Sequence, residues 1–236
     1  MSGWLDHPGA APVRDALIRS TTRMGRGGVH VQVQVNPLED MAFNPGAAAV
    51  FLGKEGNPVY LAIASAPHQL PVLDFYVGEG VHADEWLSRQ GQAVRVQFPV
   101  GEGYPLDTMA GKPVVLVGMG SGIAPLRSAI LHMLETPSRF PEIQLLQGLT
   151  TEDSLPFPED LRSWMERGVR IMRTVTRVRP QDPAVQEGRV QEHFEAVLPE
   201  GRDCGVVLCG SGEMIAESRG RLEALGVDPS RIVTNW

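Results

Sequence analysis

The chain has 236 residues, a formal charge of -7 and two cysteines. That length accommodates two domains of ordinary size, and the dispersed acidic excess leaves no basic footprint for nucleic acid or an anionic membrane. Two thiols cannot supply the four ligands of an iron-sulfur cluster or a structural zinc. The six histidines show no metal-ligand spacing and no apolar run reaches the ~18 residues of a membrane span, so no metal and no membrane span are expected.

The opening MSGWLDHPGAAPVRD shows no charged-then-apolar signal pattern, and a cytoplasmic location is expected. DALIRSTTRM and GVHVQVQVNP follow as strands. In the second, Val29, Val31, Val33 and Val35 alternate with His30, Gln32 and Gln34, the period of a strand with one buried face. AAAVFLG, PVYLAIAS, VLDFYVG and AVRVQFP continue at short spacing, punctuated by Gly and Pro, with one helical interruption at ADEWLSRQ. Six short strands of this kind predict a small antiparallel barrel.

Beyond GEGYPLDTMAGKP the texture changes. VVLVG, IQLLQG, VRIMRTVT, GVVLCG and RIVTNW are near-continuous apolar or β-branched runs, as in parallel strands covered on both faces. Helical stretches lie between them: APLRSAILHMLE, PEDLRSWMERG and GEMIAESRGRLEALG. The expected fold is therefore two-domain β plus α/β, with an antiparallel barrel over residues 1–110 and a parallel-sheet nucleotide-binding domain over residues 111–236. Cys204 and Cys209, five residues apart on one strand, are expected on opposite faces and unbridged.

The segment VLVGMGSGIAPLRSAI ends a buried strand with Gly118, Gly120 and Gly122 and opens a helix with Pro125. Glycine suits both a tight turn with positive φ and close approach of backbone to a phosphate, and proline suits the first helical turn. If VVLVG neighbours VVLCG, the glycine turn faces Cys209, Gly210, Ser211 and Gly212 across one crevice at the strand ends. A plain tight turn is the alternative reading.

Two of these segments carry a resemblance. GSGIAP, comprising Gly120, Ser121, Gly122, Ile123, Ala124 and Pro125, resembles the nicotinamide-nucleotide motif of the ferredoxin-NADP reductase superfamily. VLCGSGEM, at residues 207–214, resembles its second nicotinamide-site motif. Within that superfamily the chain looks most like the fruit-protein-like FAD/NAD(P)-binding oxidoreductases. The resemblance implies a barrel that binds FAD and a second domain that binds NADP or NAD. It puts Cys209, Gly210, Ser211, Glu213 and Met214 at the nicotinamide, although Met214 also reads as a core residue. Thr176 and Arg177 fall where relatives contact a 2′-phosphate, implying some preference for NADPH, with Arg189 a second candidate; Thr150 replaces an Arg common in relatives.

The flavin side departs from the family. Alignment on Ile63-Ala64-Ser65 puts Val59, Leu61 and Ala62 at the positions of the motif Arg-x-Tyr-Ser. The segment Tyr60–Ser65 remains the implied flavin strand, with Tyr60 offering an aromatic face. The second flavin element reads Gly80-Val81-His82-Ala83 and lacks the usual hydroxyl. Gly101, Gly103 and Tyr104 match the Gly-rich segment between the domains, and Trp236 the aromatic that covers the flavin face. The implied activity is hydride passage from NAD(P)H to FAD and of electrons to a separate, unidentified acceptor. The alternative is a non-catalytic NAD(P)-sensing or electron-transfer subunit that keeps the fold.

Overall fold

The computed structural model describes residues 11–26, 28–36, 41–52, 58–78, 87 and 89–235. The first half forms a six-stranded antiparallel sheet: β1 (Val13–Met24), β2 (Gly28–Val35), β3 (Ala48–Leu52), β4 (Pro58–Ala62), β5 (Val72–Val77) and β6 (Ala93–Val100). Their spatial order is β4-β3-β6-β1-β2-β5, and a bridge between Ile63 and Phe75 brings the outer strands together, so the sheet curls into a barrel. The valine alternation of β2 works as expected. Val31, Val33 and Val35 are buried with Ile18, Leu73 and Phe75 inside the barrel, while His30, Gln32 and Gln34 stay partly exposed. Each fully buried aliphatic or aromatic side chain there contributes about 1.5–3 kcal/mol, and Phe51 packs edge-on to Phe75 at 4.9 Å between ring centroids.

The second half is a parallel sheet of β7 (Val114–Met119), β8 (Ile143–Leu149), β9 (Arg170–Val175), β10 (Val185–Glu187), β11 (Gly205–Cys209) and β12 (Ile232–Thr234), in the order β10-β9-β8-β7-β11-β12. Helices α1 (Ile123–Glu135) and α2 (Pro158–Glu166) cover one face, where Leu126, Ile130 and Trp164 meet Leu116, Leu145 and Val207. The short α3 (Phe194–Val197) and α4 (Gly212–Ala224) cover the other, where Phe194, Met214 and Leu222 meet Val117, Leu146 and Leu208. Both faces of the central strands β7, β8 and β11 are covered, which is why these run largely apolar without alternation. Cys204 and Cys209 fall in opposite layers and are free thiols.

Two elements escaped the sequence reading. β10 is only three residues, Val-Gln-Glu, and owes its conformation to parallel pairing with β9; α3 is a single turn anchored by buried Phe194 and Val197. Most of the helix expected at ADEWLSRQ lies outside the described residues.

The strand order reverses at β7, which pairs with β8 on one side and β11 on the other. A crevice at the carboxyl ends of the sheet is the geometric consequence.

Candidate nucleotide and flavin sites at the sheet ends

β11 pairs with β7 so that Cys209 stands opposite Gly118, as the shared crevice requires. Gly120–Gly122 form one 3-10 turn that runs straight into α1. The three glycines serve different ends. Gly120 alone has a left-handed backbone, φ +55°, and a Cβ there would meet nothing within 4 Å, so its backbone is open. A Cβ on Gly122 would stand 2.5 Å from the Cys209 carbonyl oxygen, and one on Gly118 2.5 Å from Leu126 Cδ1. Those two are glycine because α1 and β11 crowd them. Positive φ and phosphate approach, the reasons given by the sequence, hold for Gly120 only. Ser121 is exposed, whereas Ile123, Ala124 and Pro125 are buried under the helix start. Among the described residues no side chain caps α1; its Ile123 amide closes the 3-10 turn on the Gly120 and Ser121 carbonyls, and Pro125 has no amide to offer.

Cys209 is buried, and burial pushes its thiol up to about 11, against the weaker opposing pull of the Tyr104 hydroxyl beside it. It is a neutral packing group at physiological pH. Tyr104 is itself buried, its phenol raised well above the ordinary value by burial and by Cys209. Its amide donates to the Pro45 carbonyl at 2.7 Å and its ring packs across Gly46, while Gly103 abuts Asn44 and Pro45. Gly103 and Tyr104 therefore fasten a barrel turn against the end of β11, and Tyr104 has little surface left with which to line a pocket.

On β4 the pleat corrects the alignment. Val59, Leu61 and Ile63 turn into the barrel core, so the side chain of Leu61 cannot meet a ligand outside it. Tyr60 faces outward and is 48% exposed, with Ala62 half-buried on the same face. Alignment on the downstream Ile-Ala-Ser puts the motif's aromatic position on an inward residue, whereas the outward aromatic of this strand is Tyr60.

Ala64 and Ser65 are held by the second half of the chain. Arg127, from the second turn of α1, donates to the Ala64 carbonyl at 2.9 Å, to Asp74 Oδ2 at 2.9 Å and to Asp160 Oδ2 at 2.6 Å. Its guanidinium lies over the Phe157 ring, 4.9 Å from the centroid. Ser128 donates to the Ser65 carbonyl at 2.7 Å, and the Ser65 hydroxyl accepts from the Asp74 amide. Burial alone would raise the Asp74 carboxyl; the His30 hydrogen bond and the Arg127 charge outweigh it and hold it below the ordinary value. Sequence reasoning missed Arg127, Ser128, Asp74 and Asp160. The available signal was an Arg-Ser pair on the apolar side of a helix.

At the carboxyl ends of β7, β8 and β9 opens a cavity of about 500 Å³, closed by the 187–192 segment and the start of α4. Thr150, Thr176, Arg189, Ser211, Glu213 and Met214 are on its wall. Arg177 is exposed and is not part of that wall. Ser211 caps α4 by accepting from the Met214 amide, and the buried Met214 packs over Gly210 and into the core. Gly80, Val81, His82, Ala83 and Trp236 lie outside the described residues. Among the described residues no three His, Cys, Asp or Glu side chains gather as a metal site, and no helix is long and apolar enough to cross a membrane.

A curled antiparallel sheet followed by a parallel sheet with a glycine turn at its switch point is the architecture of a two-domain nucleotide-dependent reductase. Residues 116–220 match the oxidoreductase NAD-binding domain family. Over 95% of its length the chain superposes on 70% of the cytochrome P450 reductase GcoB of Amycolatopsis, with a TM-score of 0.82 and 26% identity. The gamma subunit of sulfhydrogenase 1 from Pyrococcus furiosus is 24% identical over 200 residues, 82% of this chain and 68% of that protein. Fruit protein pKIWI502 of Actinidia deliciosa is 27% identical over 190 residues, 75% of this chain and 59% of that protein. This last likeness is distant and supports the superfamily rather than the subgroup. The match over residues 116–220 and the likeness of the whole chain to GcoB together support the ferredoxin-NADP reductase superfamily.

Proposed function

We propose that the protein is an NAD(P)H-dependent flavin oxidoreductase that hands electrons to a separate acceptor. The observation that carries this reading is the convergence of both halves at one place. The open glycine turn and buried Cys209 sit at the sheet's switch point, Gly78 just beyond β5 lies close enough that a Cβ placed on it would stand 3.9 Å from Ser121 Cβ, and Arg127 and Ser128 bind the flavin strand to the same helix.

The residues present fit both groups. The open backbone at Gly120, at the entry to α1, suits the pyrophosphate of a nicotinamide nucleotide, and the cavity of about 500 Å³ its remaining half. Tyr60, outward and half-exposed, suits one face of a flavin ring. When bound, FAD supplies the two-electron acceptor that the protein's own side chains lack. Cys209 contributes a neutral, water-excluding wall, since its thiol stays protonated. Arg127 and Ser128 orient: they hold the carbonyls of Ala64 and Ser65 against α1, setting the spacing on which transfer between two bound rings depends. We place the division between the halves near residue 110, the electron acceptor in a carrier protein or partner subunit, and the protein in the cytoplasm, where its two buried thiols remain free.

The test is an absorption spectrum of the purified chain with added FAD, followed anaerobically by NADH or NADPH. Bound flavin that bleaches supports the reading. The charged Arg of the family motif is missing from the outward face of β4, so FAD is expected to bind more weakly than in relatives. Nucleotide binding without flavin uptake would make the chain a non-catalytic sensing subunit.

A further inference from the structure

The cavity at the strand ends is acidic. Four carboxylates, Glu187, Glu192, Glu213 and Glu217, stand on its wall against one guanidinium, Arg189. Arg189 is already engaged: its Nη1 lies 3.6 Å from Glu217 Oε2, and Arg221 Nε lies 3.6 Å from the other oxygen of the same carboxylate. Gln191 also donates to Glu217 at 3.2 Å. Among the described residues Glu187, Glu192 and Glu213 have no ion-pair partner. On the turn after β9, Arg177 and Arg179 are both exposed and neither reaches the wall; Arg173, further back, is paired with Asp182 at 2.8 Å.

A second observation points the same way. Thr174 lies fully buried on β9, level with Gly148 of β8, and lines the cavity; its hydroxyl finds no partner among the described residues. A buried hydroxyl left unsatisfied is costly unless a ligand completes it. Thr150 and Thr176 add two more hydroxyls to the same wall. Hydroxyls and free carboxylates together match the donors and acceptors of a sugar diol, since a carboxylate accepts from a 2′-hydroxyl. They repel a 2′-phosphate, which brings close to two negative charges into the same space.

Resting on the nucleotide reading above, we propose that this cavity takes the unphosphorylated adenosine ribose, so that the protein uses NADH and discriminates against NADPH. The 2′-phosphate role that the sequence suggested for Arg177 gives way to diol recognition by the carboxylates and Thr174. Calorimetric titration of the full chain with NAD⁺ and with NADP⁺ tests it, without any need for turnover. NAD⁺ is expected to bind at least tenfold tighter at low salt, the gap narrowing as salt screens the carboxylates. The double variant Glu187→Gln, Glu192→Gln should close much of the gap by strengthening NADP⁺. Thr174→Val should weaken NAD⁺; Thr174→Ser, which keeps the hydroxyl, should restore it. NADP⁺ binding as tightly as NAD⁺, or an unchanged ratio in the double variant, overturns the inference and leaves the nucleotide site standing. Failure of both nucleotides to bind overturns the site as well.

Discussion

The end of the parallel sheet and the outward face of β4 each carry a short motif shared with a family, and the two motifs rest on different things. At the sheet end the motif rests on backbone: Gly118 and Gly122 exist because β11 and α1 leave no room for a Cβ, and such constraints are visible as glycines. On β4 the family's chemistry rests on side chains, and these are replaced. There, only the pleat tells which residue faces outward. Packing-driven motifs survive alignment letter by letter, whereas side-chain motifs must be checked against the face they occupy.

The sharpest way to break this contrast is to cut the link between the two regions. Arg127→Ala would leave Asp74 buried beside His30 and Gln32 without its guanidinium. Removing one partner of a buried pair costs about 3 kcal/mol or more, and a large fall in urea midpoint is expected. The Asp74 carboxyl is held below its ordinary value when folded. Its contribution is therefore complete above the unfolded value of ~3.9 and disappears as pH falls through the lower folded value. Asp74→Asn should flatten that acid limb of the stability profile; an unchanged limb would show that Asp74 is not what titrates.

On β4 itself the two neighbours should separate cleanly. Leu61→Ala opens the barrel core and should cost about 3 kcal/mol. Tyr60→Leu should change stability by no more than about 0.5 kcal/mol while weakening FAD uptake in a fluorescence titration. The opposite pattern would restore the alignment that put Leu61 at the flavin.

The glycines allow a finer comparison. Gly122→Ala forces a Cβ against the Cys209 carbonyl and should destabilise by about 2 kcal/mol. Gly120→Ala meets only the φ penalty of about 1 kcal/mol, yet it should weaken the nucleotide more per unit of stability lost. Thermal melts with and without NAD⁺ read both effects. The smallest effect is expected at Cys209: with its thiol at about 11, alkylation by iodoacetamide at pH 8 should be slow in folded protein and complete after unfolding.

Much of the architecture was legible in the residues. Alternation in β2 and unbroken apolar runs in β7, β8 and β11 follow directly from whether one face or two are covered, and the pairing of β7 with β11 was implied by the two glycine-bearing strand ends. β10 was not legible, because three residues carry no period and its geometry comes from β9. The Arg127 network was hidden for a related reason. A buried arginine looks like a surface one until the partners from β5 and α2 are brought to it, and both are more than thirty residues away. The free carboxylates around the cavity come from β10, the segment after it and α4, so only folding reveals them as one wall.

The position of β7 also has a consequence for how the protein is made. Its first neighbour, β8, follows one helix later, but its second neighbour, β11, is synthesised only after two further strands and two further helices. During that interval β7 presents an open, apolar edge to any other unpaired chain, a recognised route to aggregation. The turn at Gly120–Gly122 lacks its Cys209 wall for the same period. The binding cleft is consequently a late product of translation, and nucleotide can stabilise only a chain that has been extended past β11; it offers no help to the nascent β7 when exposure is greatest.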